Sequence, residues 1–245
     1  MTGTLLVVAP DRDTLAALVA GRLIAALADA QAQRPVASAV LTGGGIGLAV
    51  LAATAASPAR GAVDWSRLDV WWGDERFVPA GDSDRNDRGA DEALLAQVPV
   101  DPRRVHRIGG PDTYSTPEQA AGAYSAQLLS AGSGRTPDFD VLLAGIGPEG
   151  HVASLFPHAP GLAADTPAVA VRDCPKPPPT RVSLTLPAIC AAREVWVIAS
   201  GTAKAEAVAG VLAGGDIAAL PARGARGHER TVCLVDADAA AAVPR

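Results

Sequence analysis

Short apolar runs rich in β-branched residues alternate with alanine-rich stretches of helical length along almost the whole of this 245-residue chain. "LLVVA" (5–9) precedes a predicted helix near 11–33, and "VASAVLTGGG" (36–45) precedes another near 46–56. "LDVWWGDERFV" (68–78) leads through an acidic loop to a helix near 88–97. A strand is expected at "RVHRI" (104–108), then a helix near 117–131 that opens on Thr116 as N-cap and Pro117 in its first turn. Further strands are expected at "FDVLLAGIG" (139–147), "AVAVR" (168–172), "RVSLTL" (181–186), "EVWVIAS" (194–200) and "TVCLVD" (231–236), with a helix near 203–213.

Strand and helix repeated in this order predict an α/β fold: three Rossmann-like layers, a mostly parallel sheet with helices on both faces. The later strands are less regularly separated by helices, so a small antiparallel addition is expected among them. "CPKPPPT" (174–180) is too proline-rich for a helix or a central strand and reads as an extended surface connection. The length suits one domain spanning residues 1–245. A formal charge of −5 argues against a broad nucleic-acid footprint but leaves room for a local basic pocket that takes a small anion. Cys174, Cys190 and Cys233, odd in number and widely spaced, fit reduced thiols in a cytoplasmic protein. No basic leader and no uninterrupted apolar run of spanning length point to a membrane.

Ligands of such sheets bind beyond the carboxyl ends of the strands, and four segments fall at that edge. Gly43, Gly44 and Gly45 lie between a strand and a helix, where bare backbone amides and the helix field favour an anion; a tight turn alone would account for them equally. Asp74, Glu75 and Arg76 follow two tryptophans and are expected to project from a strand end. Arg76 could then fork onto a phosphate or carboxylate, and Asp74 could orient Arg76 or accept a sugar hydroxyl. Lys204 sits in the first turn of its helix, where the macrodipole disfavours a cation unless a bound anion reverses the penalty; Glu206 offers a local compensation instead. Finally, "LLAGIGPEGHVASLF" (142–156) matches G-x-G-x-x-G literally, yet Pro157 and Pro160 stop the helix that a dinucleotide turn must open. That leaves His151 on a glycine turn as a candidate general base. His158 reads as part of a surface loop, His106 and His228 as solvated, and Ser154 as a polar residue of a helical turn rather than a nucleophile.

Taken together, "GDERFVP", "GIGPEGHVASLFP" and "RVSLTLP…SGTAKAEAV", in order from about residue 40 to 210, resemble the 6-phosphogluconolactonase family. The resemblance implies a fold related to that of glucosamine-6-phosphate isomerases and ribose-5-phosphate isomerases. It also implies hydrolysis of 6-phospho-D-glucono-1,5-lactone, a small phosphorylated sugar lactone, without metal or organic cofactor, by a monomer or small homo-oligomer. On this resemblance His151 activates water and Glu149, in place of the family's more usual aspartate, orients the site. Asp74 fixes Arg76 or a sugar hydroxyl, while Arg76, Arg181 and Lys204 hold phosphate or developing negative charge. "GGGIG" departs from the usual glycine pair followed by a hydroxyl residue and proline, which leaves phosphate to backbone amides and cations. The rival readings are a phosphosugar isomerase or deaminase and a non-catalytic phosphosugar sensor. The isomerases carry a ring-opening glutamate a few residues past the histidine, where this chain has "VASLFP".

Overall fold

The computed structural model describes residues 3–244. Its strands are β1 (Leu5–Ala9), β2 (Ala37–Leu41), β3 (Leu68–Trp72), β4 (Asp74–Arg76), β5 (Val141–Gly145), β6 (Ala168–Val171), β7 (Arg181–Leu184), β8 (Glu194–Ala199) and β9 (Arg230–Asp236). The helices are α1 (Arg12–Gln33), α2 (Gly44–Ala56), α3 (Asn86–Ala93), α4 (Pro117–Ala131), α5 (Leu186–Cys190) and α6 (Ala205–Ala213). Six strands form one sheet in the order β1-β9-β8-β5-β2-β3, every pair parallel. Successive residues of β5 and β8, such as Leu142 with Leu143 and Val195 through Ile198, are all buried. Alternate side chains point to opposite faces, so both faces of the central sheet are covered.

The expected antiparallel addition is a second sheet, β4-β7-β6. Gly73 is the corner between the two. Its amide donates to the Leu41 carbonyl of the first sheet, and its carbonyl accepts from the Leu184 amide of the second. "LDVWWGDER" is therefore two strands: Asp74, Glu75 and Arg76 form β4, with Asp74 and Arg76 bordering the cleft at the sheet edge and Glu75 turned inward instead. Glu75 is buried because it has structural work: its carboxylate accepts the amides of Asn86 and Asp87 at 2.7 and 2.8 Å and so caps α3. Burial, then the neighbouring Asp87 carboxylate, push Glu75 up to about 7 against the pull of Arg85.

Other boundaries shift for local reasons. Helix α2 begins at Gly44 rather than 46, because Gly44 takes the left-handed φ of +79° that lets the chain turn straight into the helix. The helix expected near 88–97 spans Asn86–Ala93 and gives way to a 3-10 turn at Leu95–Gln97. The strand expected at 104–108 does not form. Val105 makes one isolated bridge to Val70, while Arg104 and His106 turn their side chains to Asp69. His106 is not solvated either: its ring stacks on Trp71 with centroids 3.8 Å apart. No helix follows His151; residues 152–155 form bridged turns, and Ser154 is fully buried rather than part of a helical turn.

Trp71 and Trp72 anchor the edge beneath the site, and the Tyr124 hydroxyl from α4 both accepts from the Trp72 amide and donates to its carbonyl, each at 3.0 Å. Aromatic side chains of this size bury ~150–250 Å² each, on the order of 4–6 kcal/mol of transfer free energy per ring. Helix α1 is the described helix long and apolar enough to cross a membrane by composition, but Leu15, Val19, Leu23 and Leu27 are buried in the core.

Candidate active site

Because the six strands are parallel, the carboxyl ends of β2, β5 and β8 open on one edge. The segments that leave them, Thr42–Ile46, Gly145–Ile146 and Ile198–Ser200, share a cleft of about 450 Å³. Arg12, Arg76, Lys176, Arg181 and Lys204 line it together with Asp74 and His151. Five cationic side chains against one aspartate make the cleft locally basic on a chain whose formal charge is −5. Among the described residues no cluster of three or more His, Cys, Asp or Glu side chains is placed to hold a metal ion.

The glycine wall is the N-terminus of α2. Gly43 is its N-cap, supplies no side-chain cap, and leaves first-turn amides at the exposed Gly44 and Gly45 open to the cleft. A Cβ on Gly43 would lie 1.8 Å from Asn86 Oδ1, so only glycine allows this approach. Asn86 Oδ1 in turn accepts from Arg76 Nη1 at 2.5 Å, and the Asp84 carbonyl accepts from the same nitrogen at 2.7 Å. Arg76 is thus held beside the glycines by Asn86 and Asp84. Asp74 is not its partner, contrary to one sequence expectation. Asp74 Oδ2 instead accepts from Ser154 Oγ at 2.6 Å and lies 3.9 Å from Arg181 Nη1.

Arg181 is buried and largely committed to its own chain. Its guanidinium donates to the carbonyls of Lys176, Pro177 and Pro178 at 3.1, 3.3 and 3.1 Å, which fastens the proline-rich strap across the cleft. Lys204 is the opposite case. It follows the turn at Gly201, whose amide Asp236 holds, and its side chain has no hydrogen bond or ion pair among the described residues. Burial, then the nearby Lys176 ammonium, lower its pKa, with Glu149 opposing. A cation left unpaired and partly desolvated beside a capless helix N-terminus is arranged for an anion.

His151 is brought into the cleft by the glycine turn after β5. The Gly147 amide donates to the His151 carbonyl at 3.2 Å, and Gly150 turns the chain at a φ of +84°. Nδ1 of the imidazole lies 2.8 Å from Glu149 Oε1, and the ring packs on Phe156 with centroids 4.6 Å apart. Desolvation lowers the His151 pKa from its ordinary value of 6.5 despite the Glu149 carboxylate, so the ring is neutral at pH 7. Partial burial would raise Glu149, but its own amide, Lys176 and His151 outweigh that and bring it down to about 2. An ionised Glu149 accepts Nδ1–H, which leaves the Nε2 lone pair as the free base.

Gly147 shows how little space the arrangement has. A Cβ there would sit 2.0 Å from His151 Nδ1 and 2.6 Å from Glu149 Oε2. Gly147→Ala is expected to displace the imidazole and cut kcat by ~10²-fold, the cost of about 1 Å of misplacement, while thermal unfolding stays close to wild type. Steady-state kinetics beside a melting curve checks both halves of that statement.

The sequence-expected residues Gly43, Gly44, Gly45, Asp74, Arg76, His151, Arg181 and Lys204 all line this one cleft, and Glu149 backs His151. Sequence reasoning missed Arg12, Thr42, Asn86, Ser200 and above all Lys176 as contributors. The signal for Lys176 was present: it is one of two lysines in the chain and stands five residues before Arg181.

Residues 10–233 match the family model described as glucosamine-6-phosphate isomerases/6-phosphogluconolactonase. The chain belongs to this family. A 6-phosphogluconolactonase of Streptomyces coelicolor is 53% identical over 98% of this chain and 95% of that protein. One of Mycobacterium tuberculosis is 45% identical over 96% of each. Among solved structures, the 6-phosphogluconolactonase of Thermotoga maritima superposes with a TM-score of 0.84 at 26% identity, covering 95% of this chain and 99% of that one. A monomeric glucosamine-6-phosphate deaminase reaches a TM-score of 0.82 at 19% identity, over 98% of this chain and 100% of that one, a likeness of fold alone.

Proposed function

We infer that this family member hydrolyses 6-phospho-D-glucono-1,5-lactone to 6-phospho-D-gluconate, the second step of the oxidative pentose phosphate pathway. Relatives carrying that name along nearly their whole length support the activity. The observation in this chain that carries the reading is the pairing, in one cleft, of a Lys204 side chain without a partner among the described residues and a capless α2 N-terminus with a His151 backed by Glu149.

The substrate's phosphate sits on the amides of Gly44 and Gly45, with Arg76 and Lys204 converging on it and Arg181 holding the strap that walls the site. Water is the nucleophile. His151 Nε2 takes a proton as the water oxygen bonds to the lactone carbonyl carbon, and Glu149 stabilises the imidazolium through Nδ1. The tetrahedral oxyanion forms in a cleft already rich in positive charge. It collapses with cleavage of the bond to the ring oxygen, which takes the proton back from His151 and leaves 6-phosphogluconate. Asp74, held by Ser154, offers its remaining acceptor capacity to a sugar hydroxyl. Beyond His151 the chain places Phe156 against the ring, and a phenyl group moves no proton; this favours the lactonase over the ring-opening isomerases and deaminases.

Turnover is the test. NMR-monitored loss of freshly generated 6-phosphogluconolactone should exceed the spontaneous rate in proportion to enzyme concentration. Binding without acceleration would mark the protein as a phosphosugar sensor instead.

A further inference from the structure

The proline-rich strap contributes more than a wall. Lys176 Nζ lies 2.9 Å from Glu149 Oε1 and 3.0 Å from Oε2, so one ammonium bridges both oxygens of the carboxylate whose Oε1 also engages His151 Nδ1. Glu149 stands on a short turn between two glycines, and its carboxylate would otherwise have freedom to swing away from the ring. Lys176 is itself located by its backbone: its carbonyl is one of three on the strap that Arg181 grips, and the Cys174 amide closes the strap on the Pro179 carbonyl at 2.9 Å. A line of contacts therefore runs from buried Arg181 through Lys176 and Glu149 to the imidazole, across segments distant in sequence.

We propose that Lys176 is a positioning residue for the histidine base, acting by clamping Glu149 in the one orientation that fixes the His151 tautomer and aims Nε2 at the lactone. The proposal rests on the lactonase reading for its kinetic effects and on geometry alone for the clamp. The charged groups around the imidazole are Glu149 and Lys176, with Asp74 of β4, Arg181 of β7 and Lys204 ahead of α6 on the surrounding walls. Lys176 and Glu149 act on the ring with opposite sign. The ammonium opposes protonation of the imidazole and the carboxylate favours it.

The experiment uses the full chain as Lys176→Met, Lys176→Arg and Glu149→Gln beside wild type. In Lys176→Met, kcat is expected to fall ~10-fold or more, part of the ~10²–10⁴-fold that a general base supplies, with KM within about threefold. The acid limb of kcat/KM should move to lower pH in Glu149→Gln, where the carboxylate that favours the imidazolium is gone, and kcat should return toward wild type in Lys176→Arg. A readout without substrate accompanies these: nitrogen-15 NMR of the imidazole should show the Nδ1–H tautomer of His151 in wild type and a mixed population in Lys176→Met. A rise in KM with kcat and tautomer unchanged would overturn the clamp and make Lys176 a substrate contact. Unchanged kinetics and tautomer would overturn it as well. If wild type itself fails to turn over the lactone, the activity reading falls while the NMR comparison still decides the clamp.

Discussion

His151→Ala should lower kcat for 6-phosphogluconolactone by ~10²–10⁴-fold while changing KM by no more than about threefold. The split follows from the geometry. The imidazole is backed by Glu149 on Nδ1 and packed on Phe156, so it is oriented for proton transfer, whereas the groups assigned to phosphate lie on other walls of the cleft. Residual activity should survive because the cationic lining still favours the oxyanion. In wild type the acid limb of kcat/KM should fall below pH 6.5, since desolvation lowers the imidazole pKa and the neutral ring is the active form; activity is lost as pH drops through that value. The alanine variant should lack this limb. A pH–rate profile for both proteins, with spontaneous hydrolysis subtracted, measures it.

Lys204→Ala should act on binding. The side chain has no partner among the described residues, so its removal leaves no group orphaned and costs the fold little. In the proposed phosphate role the side chain supplies a charge-assisted contact of ~1.5–3 kcal/mol, whose loss corresponds to roughly 10- to 100-fold in KM. kcat should change much less, because the contact is made equally in ground and transition states. Calorimetry with two ligands separates the phosphate role from a general effect. Affinity for 6-phosphogluconate should drop by that factor, and affinity for unphosphorylated gluconate should not change. An equal loss for both would place Lys204 at the sugar rather than the phosphate.

Much of the architecture was legible because the central strands are buried on both faces and therefore read as continuous apolar runs, such as "VLLAG" in β5 and "EVWVIA" in β8. The glycines after β2, His151 after β5 and Lys204 after β8 were locatable by one rule, since each lies just beyond the carboxyl end of its strand. What failed to show was long-range. A run of three charges at 74–76 reads as a strand end facing solvent or ligand, yet Glu75 is buried because α3 brings it two amides from residues 11 and 12 positions further on. His106 lies among arginines in sequence and on the face of Trp71 in space. Lys176 reaches Glu149 across 27 residues from a proline-rich strap that local patterning describes only as a connection.

In the proposed reaction one cleft holds both ends of one substrate. A crystal structure with 6-phosphogluconate bound should place the phosphate on the Gly44 and Gly45 amides within reach of Lys204 and Arg76, and the C1 carboxylate within ~3 Å of His151 Nε2. A ligand lying the other way round, or seated with C1 out of reach of that imidazole, would contradict it.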